Sequence, residues 1–406
     1  MALEEQLGIL LACRTIYTKD LKVGAFELLL NNESDNGYLD LSDFLAASDI
    51  IGEYADIYQD GRAARVPMFL RVEISVLLCS PTLRALGSKY LLEVDAAAAL
   101  SSGVMLKLGE LISNGQKLAL RVRDLELDGL DAFLEHVEVV ALELDELGDA
   151  SLVDNVRRFH SAGVRVRIDG VDDMTQLERC VAARADYLKG DFLAHGSPSR
   201  EAEIPPNRLL LLELLAELNR VNTTPMELEA IAVKDPSLAY RILKGINSAA
   251  SGLQREIDSL WQAISLMGTN ELKRWTYMLL VEPVAGKPAE LTRLMLVRGR
   301  MCEVLAEISG RGDPMNCFVV GLLSHLDALL DMDMESLVRE MPLSQPLKNA
   351  LLRREGATGE VLAEVEHYSE GEFDRLAWIV DAQHYEVAYR HSVGWARQVQ
   401  ESLGEV

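Results

Sequence analysis

The chain has 406 residues, 49% of them hydrophobic and 26% charged. That is the composition of a folded protein too long for one ordinary core, so two domains are the starting expectation. A net charge of −24, with both halves acidic, opposes non-specific approach to nucleic acid or anionic lipid.

No apolar run reaches the roughly 18 residues that a membrane span needs, so no membrane insertion is expected. The start, Met1-Ala2-Leu3-Glu4-Glu5, lacks the basic stretch of a secretory signal. Cys13, Cys79, Cys180, Cys302 and Cys317 are widely spaced and odd in number. They read as buried thiols in a reducing cytoplasm, not as disulfides or a zinc motif.

In chain order, the first half alternates short β-type segments with helical patterns. The segments are Leu11–Tyr17, Val23–Leu30, Pro67–Ile74, Tyr90–Val94, Lys117–Arg123, Val137–Leu144, Val164–Ile168 and Tyr187–Leu193. Helices are expected at Leu41–Tyr58, Val104–Asn114, Leu152–Ser161 and Met174–Ala183. Such alternation is the mark of βα units and a parallel sheet, and eight units suit a compact (β/α)8 barrel with trimmed loops. The barrel is assigned to residues 1–197. The polar, proline-rich stretch 198–206 is the linker, and residues 207–406 form a helical domain.

The helical half opens on a leucine-rich helix over Asn207–Val221, with more apolar positions than one buried stripe requires. Thr224-Pro225-Met226-Glu227, Asp235-Pro236 and Ser259-Leu260-Trp261-Gln262 are three helix starts, each with a side chain able to cap free backbone N–H groups. Gly268 can end the third helix. Further helices are expected near Thr276–Glu282, Ala289–Ser309, Asn316–Asp331, Met334–Glu340 and Gln345–Arg354.

Two resemblances emerge from these segments. Ala25-Phe26-Glu27-Leu28-Leu29 matches the Glu-x-Leu signature of the EAL family of cyclic-di-GMP phosphodiesterases, and Leu92-Glu93-Val94 supplies a second acid. The resemblance covers roughly the first 195 residues. It implies a barrel whose strand ends carry carboxylates holding two divalent ions. Several positions depart from that pattern. The family's asparagine falls at Arg71, its paired aspartates at Arg121 and Val122, its lysine at Ala141 and a further aspartate at Glu143. The acid that activates water corresponds to Asp169, and a glutamine corresponds to Lys189.

Inward-facing carboxylates repel one another unless cations lie among them. Arg71, Arg121 and Lys189 are therefore expected to project toward Glu27, Glu93 and Asp169, replacing metals with ion pairs. No catalytic residue, metal or cofactor is assigned. A guanidinium pair, Arg71 with Arg121, is also suited to phosphates of cyclic-di-GMP without metal. Arg165 and Arg167 receive no role.

The second resemblance is to the HDOD domain, an all-helical relative of HD phosphohydrolases that lacks their metal ligands. It rests on Asp235-Pro236-Ser237-Leu238, Arg241-Ile242-Leu243-Lys244, Asn247-Ser248-Ala249, Leu266-Met267-Gly268 and Leu272-Lys273-Arg274-Trp275, in order. Together the two resemblances imply a bacterial signalling protein of the cyclic-di-GMP network, acting through an unnamed protein partner on motility or biofilm output. Leu260–Leu280 also has a helix, glycine turn, helix layout, but its second helix offers only Lys273 and Arg274 as cations, so no nucleic-acid partner is expected.

Overall fold

The computed structural model describes residues 10–31, 54–59, 62–74, 77, 90–101, 103–194, 204–220, 223–232, 234–247 and 257–404. They divide into two compact units, one holding most of the chain up to Leu193 and the other most of the chain from Ala194 onward. Cys79, His195 and most of the linker lie outside the described residues.

The first unit is a closed barrel of eight strands. Around it run β1 (Leu10–Thr18), then β10 (Tyr187–Lys189), β9 (Arg165–Asp169), β8 (Val139–Glu143), β7 (Lys117–Arg121), β6 (Tyr90–Asp95), β5 (Met68–Arg71) and β2 (Val23–Asn31). A separate two-stranded sheet pairs β3 (Asp56–Gln59) with β4 (Arg62–Arg65). Helices α1 (Ala96–Ala99), α2 (Val104–Ser113), α3 (Leu130–Phe133), α4 (Asp149–Ser161) and α5 (Met174–Ala182) intervene between the later strands.

The barrel matches the expected one except in two places. β1 runs antiparallel to both its neighbours, β2 and β10, while the other pairings are parallel. The cause is the connection. Between Thr18 and Val23 the chain offers four residues, enough for a hairpin but not for a crossover of a dozen or more. Leu21 closes that turn in the left-handed region, its N–H donating to the Thr18 carbonyl at 2.9 Å. The helix expected over Leu41–Tyr58 lies mostly outside the described residues, and its end is strand β3 instead.

The barrel interior is layered by strand parity. Ile16, Ala25, Phe69, Leu91, Ala119, Val139 and Tyr187, one from each of seven strands, form an apolar floor. Two residues further along the same inner faces stand Glu27, Arg71, Glu93, Arg121, Ala141 and Lys189.

The helical unit begins with α6 (Pro206–Leu218), α7 (Pro225–Ala232), α8 (Pro236–Ile246), α9 (Leu260–Met267) and α10 (Thr269–Leu280). It continues through α11 (Ala289–Ser309), α12 (Pro314–Leu323), α13 (Leu326–Leu330), α14 (Met334–Glu340), α15 (Gln345–Arg353), α16 (Gly356–Glu370) and α17 (Ala382–Gly404). The expected caps form. Thr224 and Glu227 bond reciprocally, Asp235 accepts from the Ser237 N–H, and Ser259 accepts from the Gln262 N–H.

Helix α6 packs against α7 and α10 and buries Leu211, Leu212, Leu214, Leu215 and Leu218, while Leu209 is exposed. The helix expected over Asn316–Asp331 breaks into α12 and α13 at Ser324 and His325. The core rests on close helix approach. A Cβ on Gly321 would meet the Arg298 carbonyl and Cys302 Sγ, each at 2.7 Å, so α11 and α12 touch backbone to backbone there.

Candidate functional site

At the C-terminal ends of the parallel strands the barrel carries a buried layer of charge. Three acids contribute: Glu27 from β2, Glu93 from β6 and Asp169 from β9. Three cations face them: Arg71 from β5, Arg167 from β9 and Lys189 from β10. All but Arg71, whose side chain is about half exposed, are buried, and Arg167 is 0% exposed.

Their contacts close into a ring of alternating sign. Arg71 donates to Glu27 Oε1 at 3.1 Å and to Glu93 Oε1 at 3.2 Å. Arg167 Nη2 lies 2.6 Å from Glu93 Oε2, off the hydrogen-bonding direction, and the same guanidinium grips Asp169 with two bonds of 2.7 and 2.8 Å. Lys189 Nζ stands 2.7 Å from Asp169 Oδ2 and donates to Glu27 Oε2 at 3.1 Å. Beneath the ring, the Arg167 guanidinium stacks over Phe69 of the apolar floor at 4.7 Å, a cation–π contact that joins the two layers.

Electrostatics follow from the geometry. Burial works against a charge on Glu27, but Lys189, Arg167 and Arg71 together prevail and hold its carboxyl at about 2. Arg167 is likewise opposed by burial, and Glu93 with Asp169 raises it above the ordinary guanidinium value. Arg71 is raised in the same way, Glu93 and Glu27 outweighing burial.

Of the residues singled out from sequence, Arg71 and Lys189 reach the acids expected for them. Arg121 does not. Its Nη2 meets Glu143 Oε1 at 2.6 Å, in a separate pair whose side chains are 22% and 26% exposed, and its Nε has no hydrogen bond. Strand register explains the difference: Arg121 stands beside Asp95 and Ala141, one strand beyond Glu93. Val122 faces the opposite side of β7, buried, its N–H donating to the Ala141 carbonyl at 2.9 Å. Ala141 is an inner wall residue beside Arg167.

Arg167 is the functional position that sequence reading passed over. The signal was present, because Arg167 and Asp169 are two apart on one strand and so share a face.

A divalent ion at this mouth would need free carboxylate oxygens. None of the six oxygens of Glu27, Glu93 and Asp169 is free. Each faces an arginine or lysine nitrogen within 3.2 Å. The residues present do not fit a metal ion. Among the described residues no group of three or more His, Cys, Asp or Glu side chains is arranged to hold one.

In the helical unit the fragments that carried the second resemblance have structural tasks. Asn247 bonds reciprocally with the Ile257 backbone, both contacts at 2.8 Å, and Gly245 lies against the buried Trp275 ring. Residues 204–364 match the family model of the HDOD domain. The helical unit carries an HDOD domain. Its α10, the second helix of the helix-turn-helix layout, buries Leu272, Trp275, Thr276, Tyr277 and Met278.

Over nearly its whole length the chain is similar to YuxH of Bacillus subtilis, an uncharacterized protein. The two are 24% identical over 394 residues, 94% of this chain and 96% of the relative. It is also 23% identical to CdgJ of Vibrio cholerae, a cyclic di-GMP phosphodiesterase, over 83% of this chain and 79% of the relative. Among solved structures, an EAL domain protein from Listeria monocytogenes matches 46% of this chain and 87% of its own, with 20% identity and a TM-score of 0.33.

Proposed function

We propose that this protein is a non-catalytic member of the cyclic-di-GMP network, a signalling or scaffold protein that acts by protein contact. One observation carries the reading: the carboxylates that would coordinate ions for phosphodiester hydrolysis are already neutralised by Arg71, Arg167 and Lys189. Two-metal hydrolysis needs ions to activate water and to stabilise the leaving oxygen. A mouth closed by fixed cations supplies neither. The link to cyclic-di-GMP comes from the EAL-like segments and from the likeness to CdgJ, whose name supports the rival reading of a residual phosphodiesterase.

No described helix is long and apolar enough to cross a membrane. Cys180, Cys302 and Cys317 are free and buried, in keeping with work in a reducing cytoplasm, and Cys13 is buried as well.

A second reading has its own observation. Arg71, half exposed, and Arg121, with a side chain 22% exposed, stand on the inner faces of two barrel strands and offer two guanidinium groups to phosphate. That arrangement would make the barrel a metal-free receptor for cyclic-di-GMP. Calorimetric titration of the full chain with cyclic-di-GMP, with and without Mg²⁺, separates the readings. The contact protein gives no binding heat in either buffer. Binding in EDTA that weakens in Arg71→Ala would replace it with the receptor, and heat of turnover only with Mg²⁺ would replace it with the enzyme.

A further inference from the structure

Helices α10, α11 and α17 of the HDOD unit are joined by a short polar relay laid over an aromatic pair. Glu303 of α11 is buried and receives two guanidinium groups. Arg274 of α10 meets both its oxygens, Oε2 at 2.8 Å, and Arg300 of α11 donates to Oε2 at 2.5 Å. Arg300 then reaches across to α17, where its Nη2 stands 3.1 Å from His391 Nε2. One turn further along α17, Trp395 lies under the same guanidinium at 5.9 Å and meets Phe318 of α12 edge to face at 6.0 Å. Arg274 stacks over that Phe318 at 4.9 Å.

The relay ends on a group that must stay neutral. A guanidinium only donates, so the contact needs a lone pair on His391 Nε2 and the ring proton on Nδ1. Protonation removes the acceptor and sets two cations 3.1 Å apart. His391 is exposed, so protons reach it from solvent. The charges acting on the ring are Arg300, Glu303 and Glu307, all of α11. Arg274 reaches it only through Glu303. Around α17, α8 brings Arg241 and Lys244, α16 brings Glu364, Glu366 and His367, and α17 itself carries Arg390 bound to Glu386. None of these is among the charges that act on the ring. Burial and then Arg300 hold the imidazole below its ordinary 6.5, against Glu303 and Glu307. A depressed imidazole contributes its full stability above 6.5 and loses it as pH falls below that value.

We propose that His391 is a pH-sensitive latch within the HDOD unit. Neutral, it fastens α17 to α11 through Arg300. Protonated, it releases the turn from His391 to Trp395 and uncovers Phe318, which is otherwise fully buried. The proposal is independent of the chemistry at the barrel mouth.

The test is amide hydrogen exchange of the full chain, read by mass spectrometry at about pH 7.5 and about pH 5.5 and corrected for the intrinsic rate. At the lower pH, one unit below 6.5, protonation of a released imidazole favours opening by at most about tenfold. Protection of peptides within 388–400 should therefore fall by about 3- to 10-fold, while peptides of α12 keep theirs. His391→Gln offers Arg300 an amide oxygen at both pH values and should abolish the fall. By NMR the His391 ring should titrate below 6.5 and move back toward it in Arg300→Gln. Protection of α17 that is equal at the two pH values, or that falls as much in His391→Gln, would overturn the proposal. So would equal loss from α12, or a His391 midpoint at or above 6.5.

Discussion

The barrel mouth and the HDOD interior bury polar and apolar groups by opposite means. At the mouth, charges from five strands, as far apart in sequence as Glu27 and Lys189, close into one ring in which each member has two partners. Two buried arginines of the HDOD unit are held by other means. Arg293 pairs with Glu290 one turn away, and Arg208 donates to the carbonyls of Leu280 and Glu282. There the tightest contacts are apolar, where Gly245 admits Trp275 and Gly299 admits α12. A ring of unlike charges needs all its members, because removing one strands its neighbours in a low dielectric. A close-packed helical core is indifferent to charge but intolerant of volume.

Removing the deepest cation should have the largest effect. Arg167→Met leaves Glu93 and Asp169 each short of a partner and should cost about 3–5 kcal/mol in urea unfolding at neutral pH. A loss below about 1 kcal/mol would show that the layer is wet and the ring contributes little.

The next effect is read by acid. Glu27 is held at about 2 against an ordinary value of 4.5. A depressed carboxyl contributes its full stability above its unfolded value. That contribution should fade as pH drops from about 4.5 toward about 2, as the acid takes up its proton. The melting midpoint of the natural chain should therefore fall more steeply over that window than the midpoint of Glu27→Gln. Parallel slopes would remove Glu27 from the ring.

In the HDOD unit the matching probe is volume. A Cβ on Gly245 would stand 2.2 Å from Trp275 Cε3, so Gly245→Ala should cost about 1–3 kcal/mol. Its cost should be the same in low and high salt, whereas the cost of Arg167→Met should change little only if the ring is dry. Smallest is Arg121→Ala. Its partner Glu143 and its own side chain are both about a quarter exposed, so a loss of about 1 kcal/mol or less is expected. A loss as large as that of Arg167→Met would place Arg121 back among the ring acids.

Much of this was legible in the residues, for identifiable reasons. Helices with capping signals at their starts appeared where Thr224, Asp235 and Ser259 placed them, because caps are local chemistry. Strand positions were equally readable from alternation. The direction of β1 was not read, although the four residues from Lys19 to Lys22 already excluded a crossover. At the mouth, parity placed Arg71 and Lys189 on the inner face. It could not decide which acid Arg121 meets, since that depends on which strand neighbours which around the closed barrel. Arg167 stands outside the positions of the metal-site pattern, and only the face it shares with Asp169 marked it in the residues.

The most direct measurement is turnover of cyclic-di-GMP by the purified full chain, with Mg²⁺ and separately with Mn²⁺, followed by chromatography of the products. With Glu27, Glu93 and Asp169 bound to protein cations, no linear dinucleotide above the buffer blank is expected in either metal. Metal-dependent product that disappears in Glu27→Gln would contradict a mouth closed by Arg71, Arg167 and Lys189.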